Sequence, residues 1–201
     1  MGTGQTLAFK GDEDPSMKPP ALLLFLEFEG VLVLGGSAKR DMMADTVSDI
    51  ARGNSTWRDH QVLWTNLFEA EPLRQLKALH NQFQLQYCLT TDWTGFLDKA
   101  AMLNVLHLSG LGFVAGNLHV RWEVDQGHRA ARTDQIKAWL HLNSDWYDRW
   151  LALDSDVRGP GVQDWPKELT DFAVLCCSDA GLTQFEADAI RARYLGRITS
   201  S

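Results

Sequence analysis

The stretch Leu24-Phe-Leu-Glu-Phe-Glu-Gly-Val-Leu-Val33 changes character at its middle. Its first half belongs to an apolar run, Ala21 to Leu26, in which no polar residue marks a solvent face. A short run of that kind fits a strand buried on both sides, as in a parallel sheet covered by helices. The run then meets Glu27 and Glu29, one on each side of Phe28, with Gly30 behind them. Ligands of open parallel sheets bind at the carboxyl ends of the strands. Two carboxylates at the end of a buried strand are therefore a candidate site.

Working outward, strands alternate with helices. Pro72 suits the first turn of a helix whose buried stripe is Leu73, Leu76 and Leu79. Phe83 to Leu89 reads as the second strand and ends in Thr90-Thr91-Asp92. Phe96, Leu97, Ala100, Leu103 and Leu106 form one side of the next helix, which Ser109-Gly110 stops. Leu111 to Val124 reads as extended. Thr133 to Leu142 has helical spacing at Ile136, Trp139 and Leu140. Trp150 to Leu153 is a strand leading into Asp154-Ser-Asp156, and Phe172 to Cys177 is another. Thr183 with Glu186 is a capping box that opens the last helix. This alternation argues for an α/β fold with a mainly parallel sheet. Residues 1–20, rich in Gly, Pro and acidic residues, read as a flexible lead-in to one domain over 21–201. Gly35 to Thr65 lacks a sustained period and reads as an irregular insertion or small cap.

The chain has 201 residues, 45% hydrophobic and 22% charged, which is enough for one buried core. A formal net charge of −7 gives no long-range attraction for a polyanion. Cys88, Cys176 and Cys177 lie in strand-like runs and read as buried free thiols in a reducing compartment. No targeting segment is legible, and Glu27 and Glu29 break the first apolar run too early for a membrane span. The expectation is a cytoplasmic protein with no membrane partner. Of the eight tryptophans, Trp57, Trp64 and Trp93 are candidates for a site mouth or a partner surface, with core packing the commoner role.

Polar clusters fall at three strand ends: Glu27 with Glu29, Thr90 with Thr91, and Asp154 with Asp156. Arg132, at a helix start, supplies a cation. Hard carboxylate oxygens suit Mg²⁺, while hydroxyls and a guanidinium suit phosphoryl oxygens.

These segments resemble the motifs of the haloacid-dehalogenase-like (HAD) phosphohydrolases, in the right order, from roughly Leu22 to Leu195. Leu24 to Val33 is similar to the first motif, an apolar strand running into Asp-x-Asp-Gly. Tyr87-Cys-Leu-Thr-Thr-Asp-Trp93 resembles the second, Arg132 (or Arg129) the basic third, and Trp150 to Asp156 the acidic fourth. The ending Cys177-Ser-Asp-Ala-Gly-Leu-Thr183 is similar to one bacterial subgroup. The resemblance implies a three-layer Rossmannoid domain with a minimal cap. It also implies Glu27 as nucleophile or metal ligand and Glu29 as acid/base. Thr90 or Thr91 would donate to phosphoryl oxygens, and Arg132 would neutralise phosphate charge. The implied Mg²⁺ would be held through Glu27, Glu29, Asp154 and Asp156.

Both first-motif positions carry glutamate where that family has aspartate. One extra methylene moves a carboxylate by roughly an ångström, and misplacement on that scale can cost ~100-fold in rate. The expectation is a weak or altered phosphatase acting on a phosphorylated small molecule or nucleic-acid end. The alternative is a catalytically inactive relative that binds a protein partner.

Overall fold

The computed structural model describes residues 22–34, 36–125, 131–146, 148–156 and 165–198. The expected lead-in over 1–20, and Arg129, lie outside the described residues. The strands are β1 (Leu23–Leu26), β2 (Gln86–Leu89), β3 (Leu118–Glu123), β4 (Trp150–Ser155) and β5 (Ala173–Cys176). The helices are α1 (Gly36–Ala51), α2 (Gln61–Thr65), α3 (Ala70–Phe83), α4 (Lys99–Leu108), α5 (Gly112–Ala115), α6 (Arg132–His141), α7 (Lys167–Thr170) and α8 (Gln184–Ile198).

The five strands form one parallel sheet in the order β3-β2-β1-β4-β5. The opening apolar run is thus the middle strand, which explains why it needs no polar face. Its alternate residues enter two separate cores. Leu22, Leu24 and Leu26 join Tyr87, Leu89, Leu151 and Leu153 on one face. Leu23 and Phe25 join Cys88, Trp150 and Ala152 on the other. Helices α3, α4 and α8 cover the first face through residues such as Leu79, Val105 and Ile190. Helix α6 covers the second through Ile136 and Trp139, whose ring meets Phe25 edge-on at 5.2 Å between centroids. The result is the expected three-layer α/β domain.

Register positions the site. Leu26 lies opposite Leu89 on β2 and Leu153 on β4. The next residue along each chain is Glu27, Thr90 and Asp154, so the three leave the sheet side by side. Two backbone bonds continue the ladder there: Thr90 N–H donates to the Leu26 carbonyl at 3.0 Å, and Glu27 N–H to the Leu153 carbonyl at 3.1 Å.

Several local readings are corrected. Residues 36–51 form a sixteen-residue helix rather than an irregular insertion, followed by a 3-10 turn (Trp57–His60) and α2. Among the described side chains of α1 only Met43, Thr46 and Val47 are buried, so no broad apolar stripe shows there. The second strand starts at Gln86, because α3 runs on to Phe83 and ends at Gln84 in a left-handed conformation (φ 53°). The start of Leu111–Val124 is the one-turn helix α5, too short to show a period, before the expected extended strand. Cys88 and Cys176 are buried, and burial pushes both thiols up, whereas Cys177 lies past β5 and is exposed. Trp64 is fully buried, its indole N–H donating to the Trp57 carbonyl at 2.6 Å, and Trp93 is 2% exposed. Those two rings pack the core and offer no partner surface. The capping box at α8 is present: Glu186 accepts from Thr183 N–H at 3.0 Å. Among the described residues, no helix is long and apolar enough to cross a membrane.

Candidate active site

The chain turns sharply after β1. The Phe28 carbonyl accepts from the N–H groups of Val31, Leu32 and Val33 at 3.2, 2.8 and 2.9 Å. The Phe28 ring is buried, edge-on to Phe68 and Trp93 at 5.3 and 5.1 Å. Anchoring Phe28 in the core places Glu27 and Glu29 on either side of a fixed point. Gly30 is required twice over. Its φ is +74°, and a Cβ there would lie 2.6 Å from the Ser155 side chain. The turn after β1 and the end of β4 therefore touch.

Glu27 is 1% exposed, and both its oxygens are engaged. Oε1 accepts from Phe28 N–H at 2.8 Å and from Glu29 N–H at 3.4 Å. Oε2 accepts from the Arg132 guanidinium at 2.6 Å. Arg132 is the first residue of α6, and its guanidinium also stands 3.6 Å from Asp154 and 3.7 Å from Asp92. Gln135, one turn on, accepts from it at 2.8 Å. Asp154 is held in turn by Ser155 N–H at 2.7 Å.

Of the residues expected at the site, Glu27 and Asp154 thus both meet Arg132, with Thr90 buried on the adjoining strand end. Glu29 faces a cavity that it shares with Asp92. Thr91 is buried and caps the turn Asp92–Gly95, accepting from Trp93 N–H at 3.5 Å. Asp156 is exposed and accepts from Ser178 N–H at 2.9 Å, tying the end of β4 to the loop after β5. Asp92 and Gln135 were not singled out from the sequence. The first directly follows the Thr90–Thr91 strand end and the second lies three residues after Arg132, so both spacings were open to view.

One guanidinium serves several carboxylates. The Glu27 carboxyl is raised to about 8, chiefly by burial, with Arg132 and the Phe28 N–H opposing the rise and Asp154 and Glu29 adding to it. The 2.6 Å contact with Arg132 favours the ionised form, so burial and pairing oppose each other directly at this group. Among the described residues no group of three or more His, Cys, Asp or Glu is arranged to hold a metal. Mg²⁺, however, is commonly held by one or two carboxylates together with water and substrate phosphate. Glu27 and Asp154, on adjacent strand ends, supply a donor set of that kind.

A three-layer α/β domain with carboxylates at the ends of its parallel strands is the arrangement expected of a HAD-like phosphohydrolase fold. Residues 23–187 match the family described as the HAD domain in Swiss Army Knife RNA repair proteins. The chain belongs to that family. No curated protein and no solved structure matches the chain significantly.

Proposed function

We propose that the chain is a phosphohydrolase-fold enzyme of weak or altered activity that acts on a phosphomonoester at a nucleic-acid end. The observation that carries this reading is the meeting of Glu27, Arg132 and Asp154 at the ends of β1 and β4, beside Thr90 on β2. The family's description, which speaks of RNA repair, supports the substrate class. Of Trp57, Trp64 and Trp93, the candidates for its surface, Trp64 and Trp93 are core residues and Trp57 is half-buried against the core, so the binding-module alternative is not favoured.

In this reading Arg132 draws the phosphoryl group to the sheet edge and neutralises its oxygens, helped by the Thr90 hydroxyl. The Glu27 carboxylate attacks phosphorus, forming an acyl phosphate, and the bond from phosphorus to the leaving oxygen breaks. Glu29 gives that oxygen its proton, then takes one from the water that cleaves the acyl phosphate, releasing phosphate and free Glu27. Mg²⁺, held by Glu27 and Asp154 with Asp156 nearby, would supply further positive charge to the phosphoryl oxygens. Glutamate at both positions carries each carboxylate further from its backbone than aspartate does. That length is the reason for expecting slow turnover.

The test is hydrolysis of a terminally phosphorylated oligoribonucleotide and of a simple aryl phosphate, with and without Mg²⁺. The double variant Glu27→Asp with Glu29→Asp should raise the rate above the parent, and each single variant should recover less, because the two groups act as a unit. Thermal unfolding should shift upward with millimolar Mg²⁺, and Asp154→Ala should abolish the shift. No turnover by parent or double variant on either substrate would refute the enzyme reading.

A further inference from the structure

A cavity of about 330 Å³ opens between α1 and the turn Asp92–Gly95, and Glu29 and Asp92 stand in its lining. Asp92 is the residue 3.7 Å from Arg132, so the cavity adjoins the phosphate-binding centre proposed above. One wall is the face of α1, where Met43, Val47 and Ala51 follow the three-to-four-residue spacing of a single stripe. The opposite wall is aromatic: Trp93, buried, and Phe96, 48% exposed. Arg52, which directly follows α1, also lines the cavity. Among the described residues, no carboxylate pairs with its guanidinium.

We propose that this cavity seats the terminal nucleoside of a single-stranded nucleic-acid end, with Phe96 as the stacking platform and Arg52 as the contact for the neighbouring phosphate. The proposal rests on the phosphate site described above. The volume is at the small end of ligand clefts, about 300–1,000 Å³, and suits one nucleoside rather than a macromolecular segment. It is also far more space than a bare phosphate needs. A flat apolar helix face opposite an aromatic ring forms a slot for a planar group, and stacking accepts any base because every base has a π-face. Glu29 and Asp92 at the inner end offer acceptors to the hydroxyls of a sugar. The stripe from Met43 to Arg52 covers about 13 Å of helix axis, so Arg52 lies beyond the first nucleoside, where the next phosphate of a strand would pass. Charge supports an end-on contact over a long groove. A net charge of −7 disfavours tracking along a polyanion, whereas two separated arginines suffice for a terminus.

Equilibrium binding with three probes tests this: inorganic phosphate, a nucleoside monophosphate, and a short oligoribonucleotide with a terminal phosphate. The nucleoside monophosphate should bind about tenfold tighter than inorganic phosphate through stacking. Phe96→Ala should erase that advantage while leaving inorganic phosphate unchanged. For the oligoribonucleotide, two phosphate contacts give a log–log salt slope of about −1.4, and Arg52→Gln should reduce its size by about 0.7. Phe96 is half-exposed and Arg52 exposed, so both variants should fold, which a urea titration confirms. Equal binding of the nucleoside monophosphate and inorganic phosphate overturns the nucleoside subsite and leaves the phosphate site standing. So does a Phe96→Ala variant that loses both probes alike. An Arg52→Gln variant with an unchanged salt slope overturns the second contact. If wild type binds none of the three, the phosphate site itself fails and the subsite falls with it.

Discussion

Glu27 and Asp154 are 1% and 6% exposed, whereas Asp92 keeps 48% of its side chain in solvent and Phe96 is 48% exposed. These two pairs belong to adjoining regions, the carboxylate–guanidinium centre and the cavity under α1. The centre grows from the sheet, with its backbone held by ladder hydrogen bonds and its side chains by N–H donors. The cavity lies between a helix that contributes little to the core and a short turn. Catalytic geometry needs the first kind of support, because an error of an ångström is costly there. Selection among leaving groups tolerates the second, since stacking is forgiving in position. Substitutions in the centre should therefore act on stability and chemistry together, and those at the exposed cavity residues Phe96 and Arg52 chiefly on ligand choice.

The largest effect is expected from Arg132→Met. Removing one partner from a buried pair leaves the other uncompensated, at about 3–5 kcal/mol. Urea unfolding should show the loss, and it should be greater at pH 9 than at pH 6, because at the lower pH Glu27 can take up a proton instead. A loss below about 1 kcal/mol at both pH values would dissolve the contrast between the two regions.

Next is the pH dependence of the metal-free protein. The Glu27 carboxyl is raised to about 8 in the folded state from an ordinary value of 4.5. The folded state then holds its proton more tightly than the unfolded chain. Its contribution to stability is complete below about pH 4.5 and is lost as pH rises through about 8. Chelated wild type should therefore lose stability progressively across that window. Glu27→Gln should flatten the profile. A parallel decline in both proteins would assign the effect to other groups.

Gly30→Ala should cost at least about 1–2 kcal/mol for its left-handed backbone alone, with the contact on Ser155 added. Because that contact joins the turn to β4, Mg²⁺-dependent stabilisation should weaken in the same variant, a readout that thermal melts provide. The smallest effect is expected at the cavity mouth. Phe96→Ala should change unfolding free energy by no more than about 0.5 kcal/mol, as for surface positions generally. A loss of 2 kcal/mol or more would mean that Phe96 is part of the core and that the cavity is not a separate, softer region.

The centre was legible in the chain because each of its parts sits at a change of pattern. Leu24 to Leu26 is apolar without interruption, and Glu27 is the first residue that cannot continue it. The same break occurs at Leu89–Thr90 and at Leu153–Asp154. Parallel register then carries the three breaks to one edge, and Arg132 was visible as a cation at a helix start. Asp92 escaped notice because its role depends on how far the Arg132 side chain reaches across from α6, a distance the sequence does not contain.

Residues 36–65 show the opposite case. A helix reveals itself by the stripe it buries. Helix α1 buries few of its residues against the sheet and turns a stripe to a cavity, so its pattern does not stand out. The end of α3 was hidden for another reason: Phe83, Leu85 and Tyr87 alternate as a strand would, while the left-handed Gln84 makes the first of them helical. The chain alone was enough to determine the parallel sheet, a first strand buried on both faces and the acidic ends, since burial on two faces leaves no choice of side chain. Only the folded structure decided how one guanidinium is shared among Glu27, Asp92 and Asp154, and that a cavity opens beside them. Both depend on distances between segments far apart in the chain, and such distances are set by packing rather than by local pattern.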